Sequence, residues 1–139
     1  MQSELIVGAI GISSMEVRPG DTALAHGSGD VPTLSSSFLV TLMESAAITS
    51  IVEFLENGET TILAEIELKV HGAVPIGVEV QSAARCIELK DHTLTFDCEI
   101  HDGPRLVAAA IMRRTMVERV SFLARTAALS IISQQAQTN

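Results

Sequence analysis

A chain of 139 residues with 47% hydrophobic content can close one sizeable core, and it is read as a single domain over 1–139. Nine basic residues against 17 acidic ones give a net charge of −8, a sign that repels nucleic acid and anionic membrane surfaces and argues against both as partners. Cys86 and Cys98 are the only cysteines, so no disulfide framework is implied and a reducing cytoplasm is the expected compartment.

The first apolar run, LIVGAIGI at 5–12, has Glu4 ahead of it and no Lys or Arg, so it is not read as a secretory signal. No uninterrupted stretch reaches the roughly 18 apolar residues of a membrane span. From Ser13 to Thr33 the punctuation at Pro19-Gly20 and Gly27-Ser28-Gly29 predicts a short strand, a turn, a second short strand and a loop. Between Ser36 and Leu55 there is no Gly or Pro, and apolar residues fall at 38, 39, 42, 43, 46, 47, 51, 54 and 55. That spacing predicts a largely buried helix, with one of Ser35, Ser36 or Ser37 as its N-cap and Gly58 just past its end. A single carboxylate, Glu44, sits in this apolar run, where it has to be paired, neutralised or exposed on a narrow polar stripe.

After Gly58 the period changes to two. Ile62, Ala64, Ile66, Leu68 and Val70 share one face of a strand that ends near His71, and Pro75 and Gly77 turn the chain. A second strand puts Val78, Val80, Ala84 and Cys86 inward. Lys90-Asp91-His92 makes a hairpin, and a third strand carries Leu94, Phe96, Cys98 and Ile100 inward. After a turn at 101–104 the strand from Arg105 to Glu118 is apolar on both faces in its middle, as suits a central or interface-facing strand. A short helix is expected from about Ser121, and the tail over 133–139 is expected to fray. The core is placed at about 13–125 and the tail at about 126–139. This order is α+β, one long central helix wrapped by a curved antiparallel sheet.

Several segments in sequence resemble one family. Thr22-Ala23 is followed by Gly27-Ser28-Gly29, then by Ser36 eight positions before the glutamate of Leu42-Met43-Glu44. Next come a strand ending in His71, the turn Pro75-Ile76-Gly77, the strand Leu94-Thr95-Phe96, the turn Asp102-Gly103, and Arg114 ahead of Phe122-Leu123. Over about 13–125 the chain is similar to the hotdog-fold thioesterases, in their fluoroacetyl-CoA thioesterase-like branch. The chain departs from that pattern in having Ser36-Ser37 where the family has Thr-Pro, and Ala110 and Met112 where it has Gly and His.

The resemblance implies an acyl-CoA thioesterase acting on a small acyl group, working as a homodimer or dimer of dimers, with coenzyme A only as part of the substrate and no other cofactor. It implies catalytic roles for Ser36, Glu44 and His71, and a substrate-binding role for Gly77. Hydrolysis needs an activated water or nucleophile and donors for an oxyanion. Glu44 is the candidate general base, or the group that orients His71 as the base. Arg113 and Arg114 are candidates to attract coenzyme A phosphates. On one continuous helix Ser36 and Glu44 stand about 12 Å apart, too far to bond directly within one chain, so the site begins outside the helix or spans a two-fold axis. His26, His92 and His101 are expected to be solvated, Cys86 and Cys98 to be core, and no CxxC, HExxH or clustered His/Asp spacing indicates a metal. The departures at Ser36-Ser37 and Met112 keep open a non-catalytic acyl-CoA-binding or sensing protein. A hydratase would want an Asp and a His closely spaced ahead of the long helix, which the chain lacks.

Overall fold

Five strands form one antiparallel sheet in the order β1-β3-β4-β5-β2: β1 Ile10–Glu16, β2 Glu59–Val70, β3 Glu79–Lys90, β4 Thr93–Asp102 and β5 Arg105–Glu118. The computed structural model describes every residue except Gln2 and Asn139. A one-turn helix α1 (Ser3–Ile6) precedes the sheet, a second, α2 (Ala23–His26), follows β1, and α4 (Arg119–Thr138) closes the chain. The long helix α3 (Ser36–Ile51) packs against β1, β3, β4 and β2. Its Leu39, Leu42, Met43, Ala46, Ala47 and Ile51 are buried against Phe96, Cys98, Ile100 and Met112 of the inner sheet face. By length and apolar content Ser36–Phe54 matches a membrane span; here the sheet covers its core face.

The sequence places α3 well. Ser35 is the N-cap, its Oγ accepting from the Phe38 N–H at 3.3 Å. The helix ends at Ile51, earlier than Leu55, and Val52–Phe54 tightens into a 3-10 turn. Gly58 (φ +87) therefore turns the chain into β2 rather than ending the helix directly. Gly11 sets how close β1 comes to α3: a Cβ there would fall on the Ala46 carbonyl and within 2.5 Å of the Ser50 nitrogen.

Three expectations are corrected. The second short strand before the loop is instead α2, because Thr22 Oγ1 caps the Ala25 N–H and Gly27, at φ +71, ends the turn; only a single bridge, Thr22 to Leu34, remains of the strand pairing. In β2 a bulge between Leu63 and Glu65 shifts the alternation, so that Thr61 is buried in place of Ile62, while Ile66 and Leu68 keep the inward phase. At the C-terminus the helix begins at Arg119 and runs to Thr138 rather than being short and followed by a frayed tail. Its first turn is capped by Glu118, whose carboxylate accepts from the Ser121 N–H and hydroxyl. The β3–β4 hairpin turns on Asp91 and His92, both at positive φ, and β5 lies inside the sheet between β4 and β2, as its two apolar faces require.

Candidate active site

Ser36 is the first residue of α3, with Ser35 doing the capping. The N–H groups of Ser36 and Ser37 belong to the first turn and have no acceptor within the helix. His71 follows the last residue of β2 and is held by its own N–H, which donates to the Val107 carbonyl at 2.7 Å. The two residues line one cleft of about 340 Å³, together with Thr33, Leu39, Gly72 and Val107. Residues distant in sequence thus border one space at the N-terminal end of the central helix, where first-turn N–H groups without a helical acceptor adjoin a serine and a histidine. A second hollow of about 380 Å³, between β1 and α3, contains none of the residues expected at the site.

Glu44 does not line the cleft within one protomer. It is paired, which answers the puzzle of a carboxylate in so apolar a helix. Arg114 donates from Nη1 to Glu44 Oε2 at 2.5 Å, from Nε to Thr61 Oγ1 at 2.9 Å, and from Nη2 to the Thr61 carbonyl at 3.0 Å. Arg114 is 4% exposed, so its guanidinium faces these three acceptors and not solvent. The expectation that it attracts a coenzyme A phosphate is corrected: β5 turns it to the inner face and commits its donors. Arg113, one residue earlier, points the other way and pairs with Glu65 at 3.4 Å on the outer face. Gly77 (φ +89) sits in the turn before β3, its N–H donating to the Val17 carbonyl, and does not line the cleft. His26 is not simply solvated: its Nδ1 lies 3.2 Å from Ser37 Oγ and its ring stands edge-on to Phe38, with centroids 4.8 Å apart. Among the described residues no group of three or more His, Cys, Asp or Glu could hold a metal ion.

Sequence reasoning missed Thr61, because an unbroken alternation through β2 assigns its side chain to the outside, and only the bulge reverses it. It also passed over Arg105. That side chain starts β5 and bonds back to the segment following His71.

The solved structures most like this fold include a Thermus thermophilus member of the thioesterase superfamily (TM-score 0.85, 21% identity, covering 93% of this chain and 96% of that one). They also include the fluoroacetyl-CoA thioesterase FlK (TM-score 0.80, 22% identity, 86% of this chain and 93% of that one). A third is an alanine variant of FlK in complex with fluoroacetate and CoA (TM-score 0.77, 22% identity, 84% and 98%). These likenesses establish the hotdog fold. No curated protein sequence matches the chain. The family model for the fluoroacetyl-CoA-specific thioesterase FlK matches residues 17–120, a span that contains Ser36, Glu44, His71 and Arg114. The chain is a thioester hydrolase of the hotdog fold and belongs to the fluoroacetyl-CoA-specific thioesterase family.

Proposed function

We propose that the cleft shared by Ser36 and His71 is the reacting site of an acyl-CoA thioesterase for small acyl groups, working in the cytoplasm as a homodimer. The observation that carries this reading is the meeting of a hydroxyl, an imidazole and the free N–H groups of a helix start in one cleft of about 340 Å³. A volume of that size suits a short acyl group with part of the pantetheine arm. FlK, to which the fold is similar, acts on fluoroacetyl-CoA, and one FlK structure holds fluoroacetate and CoA.

In this reading His71 takes a proton from water, directly or through the Ser36 hydroxyl. The water oxygen attacks the thioester carbon, and the helix-start N–H groups hold the oxyanion. The C–S bond then breaks, and the proton returns from His71 to the departing sulfur. The products are a carboxylic acid and free coenzyme A.

Glu44 enters across a two-fold axis. The outer edge of β2 carries no strand, and Leu63 and Val70 on it, with Ile48 and Val52 on and beyond α3, are exposed apolar side chains. Antiparallel pairing of two β2 strands centred near Ile66 sets His71, five residues after it, opposite the partner's Thr61, five residues before it. Thr61 holds Arg114, and Arg114 holds Glu44. The carboxylate of one protomer is thereby brought towards the His71 cleft of the other.

The test is a panel of acyl-CoA substrates with thiol release as the readout. The reading expects turnover of acetyl- or haloacetyl-CoA to exceed that of long-chain thioesters. A panel with no turnover by folded, dimeric protein would overturn it.

A further inference from the structure

Arg105 opens β5, immediately after the Gly103-Pro104 turn, and its side chain is half exposed. Its Nη2 is committed twice, donating to the Ala73 carbonyl at 3.0 Å and to Asp102 Oδ2 at 3.0 Å. Among the described residues Nη1 and Nε have no hydrogen-bond partner. Nη1 lies over Gly72, so close that a Cβ at that position would stand 2.8 Å from it. Gly72 and Ala73 line the same cleft as Ser36 and His71. The chain therefore holds a guanidinium still through one nitrogen and seats a second against a glycine that lines the reacting site. Among the described residues no other Lys or Arg side chain bonds to a residue lining this cleft. On a chain of net −8 such a cation is conspicuous.

We propose that Arg105 is the anion-binding residue of the substrate site. Its free Nη1 takes an anionic oxygen of the thioester, either of a carboxylate on the acyl chain or of a phosphate of coenzyme A. The guanidinium is always charged, and a charged N–H makes a stronger hydrogen bond to an anionic oxygen than a neutral donor does. Asp102 occupies only Nη2; it leaves Nη1, beside Gly72, unused. This rests on the reading of the Ser36–His71 cleft as the thioester site.

The test uses two thioethers that cannot be hydrolysed, S-ethyl-coenzyme A and S-carboxymethyl-coenzyme A. Their binding to the wild-type protein and to three variants is measured by calorimetry, with melting curves confirming that each variant is folded. Arg105→Ala and Arg105→Gln should each weaken binding about tenfold, the scale of one hydrogen bond to a charged group. Arg105→Lys, which keeps the charge, should lose less. Loss confined to S-carboxymethyl-coenzyme A assigns the acyl carboxylate, whereas equal loss for both ligands assigns a phosphate. Either pattern should come with a weaker salt dependence in the Gln variant than in the wild type. Gln keeps an N–H that can reach the Ala73 carbonyl, so a Gln variant that binds like wild type while Lys does not would reduce Arg105 to a loop support and overturn the proposal. Unchanged binding by folded Arg105→Ala would do the same. Because neither ligand reacts, binding reads Arg105 even in a protein that hydrolyses nothing, and that latter result would fail the thioesterase reading by itself.

Discussion

Arg114 and Glu44 join the last inner strand to the middle of the central helix through a 2.5 Å contact between Nη1 and Oε2. The guanidinium is buried and the carboxylate side chain is 29% exposed, so the two ends of the pair are not equivalent. Removing the arginine leaves the buried Thr61 carbonyl and hydroxyl without their donor and a gap beneath the helix, whereas replacing the glutamate by an amide keeps an acceptor on the buried guanidinium at a position that water still reaches. The same pair fixes the carboxylate in one orientation, which a group acting across a subunit boundary needs.

Arg114→Ala should therefore cost about 3 kcal/mol of stability, the scale for emptying a buried site and leaving buried acceptors unpaired. Glu44→Gln should cost about 1 kcal/mol, because the amide keeps an acceptor and solvent screens the lost charge. Urea unfolding of both variants checks the order; a Glu44→Gln variant less stable than Arg114→Ala would contradict it. In the same Glu44→Gln protein, acyl-CoA hydrolysis should fall by about 10²-fold per folded dimer. Wild-type turnover there would leave Glu44 as architecture.

Ser35 and Ser36 separate capping from chemistry. Ser35→Ala should lose about 1 kcal/mol of stability and keep most of its activity, since its hydroxyl accepts from Phe38 N–H and is buried away from the reacting space. Ser36→Ala should melt like wild type yet hydrolyse acyl-CoA more slowly, and His71→Ala should lose about 10²-fold. The double change at 44 and 71 should be far from additive if the two residues act as one unit. A Ser36→Ala protein with full activity would remove the hydroxyl from the mechanism.

Gly11→Ala is expected to be among the most damaging small substitutions in the chain. The added methyl meets the helix backbone at Ala46 and Ser50, which cannot rotate away as a side chain can. Separating β1 from α3 should cost about 3 kcal/mol, the upper end for overpacking a core. Thermal melting within a degree of wild type would show that the strand slides at little cost.

Alkaline pH should destabilise the fold. Burial, with Asp97 adding repulsion, pushes the Cys98 thiol from 9.0 up to about 12, and burial moves Cys86 in the same direction. Above pH 9 the unfolded chain releases a proton that folded Cys98 retains. The contribution is therefore complete below pH 9 and is lost as pH rises towards about 12. Melting temperatures between pH 8 and pH 11 should fall, and Cys98→Ala should flatten the fall. An identical slope in that variant would rule the thiol out as its source.

Multi-angle light scattering at micromolar concentration should give twice the chain mass. Leu63→Glu, placing a charge on the bare edge of β2, should shift the mass towards the monomer and reduce hydrolysis with it. A stable, fully active monomer would remove the two-fold site.

The sequence by itself determined the long helix, the strands β2 to β5 and the hairpins between them, because each rests on local physics. The alternation through β3 and β4 is legible since Val80, Cys86, Leu94, Phe96, Cys98 and Ile100 face a core on one side and solvent on the other. The αL turn at Asp91-His92 and the Ser35 cap are matters of a few adjacent residues. The ordered motifs from Thr22 to Phe122 also carried the family. Tertiary structure alone decided the partners. A bulge at Leu63–Glu65 sends Thr61 inward to Arg114, and no pattern in a single strand announces where an extra residue will be absorbed. Arg113 and Arg114 look alike as neighbours in the chain, yet strand pleating places one with Glu65 on the outer face and the other beneath the helix with Glu44. The meeting of Ser36 with His71, and of Arg105 with the Gly72-Ala73 segment, depends on how the end of β2, the start of β5 and the N-terminus of α3 converge, which is a property of sheet order and register rather than of any one segment.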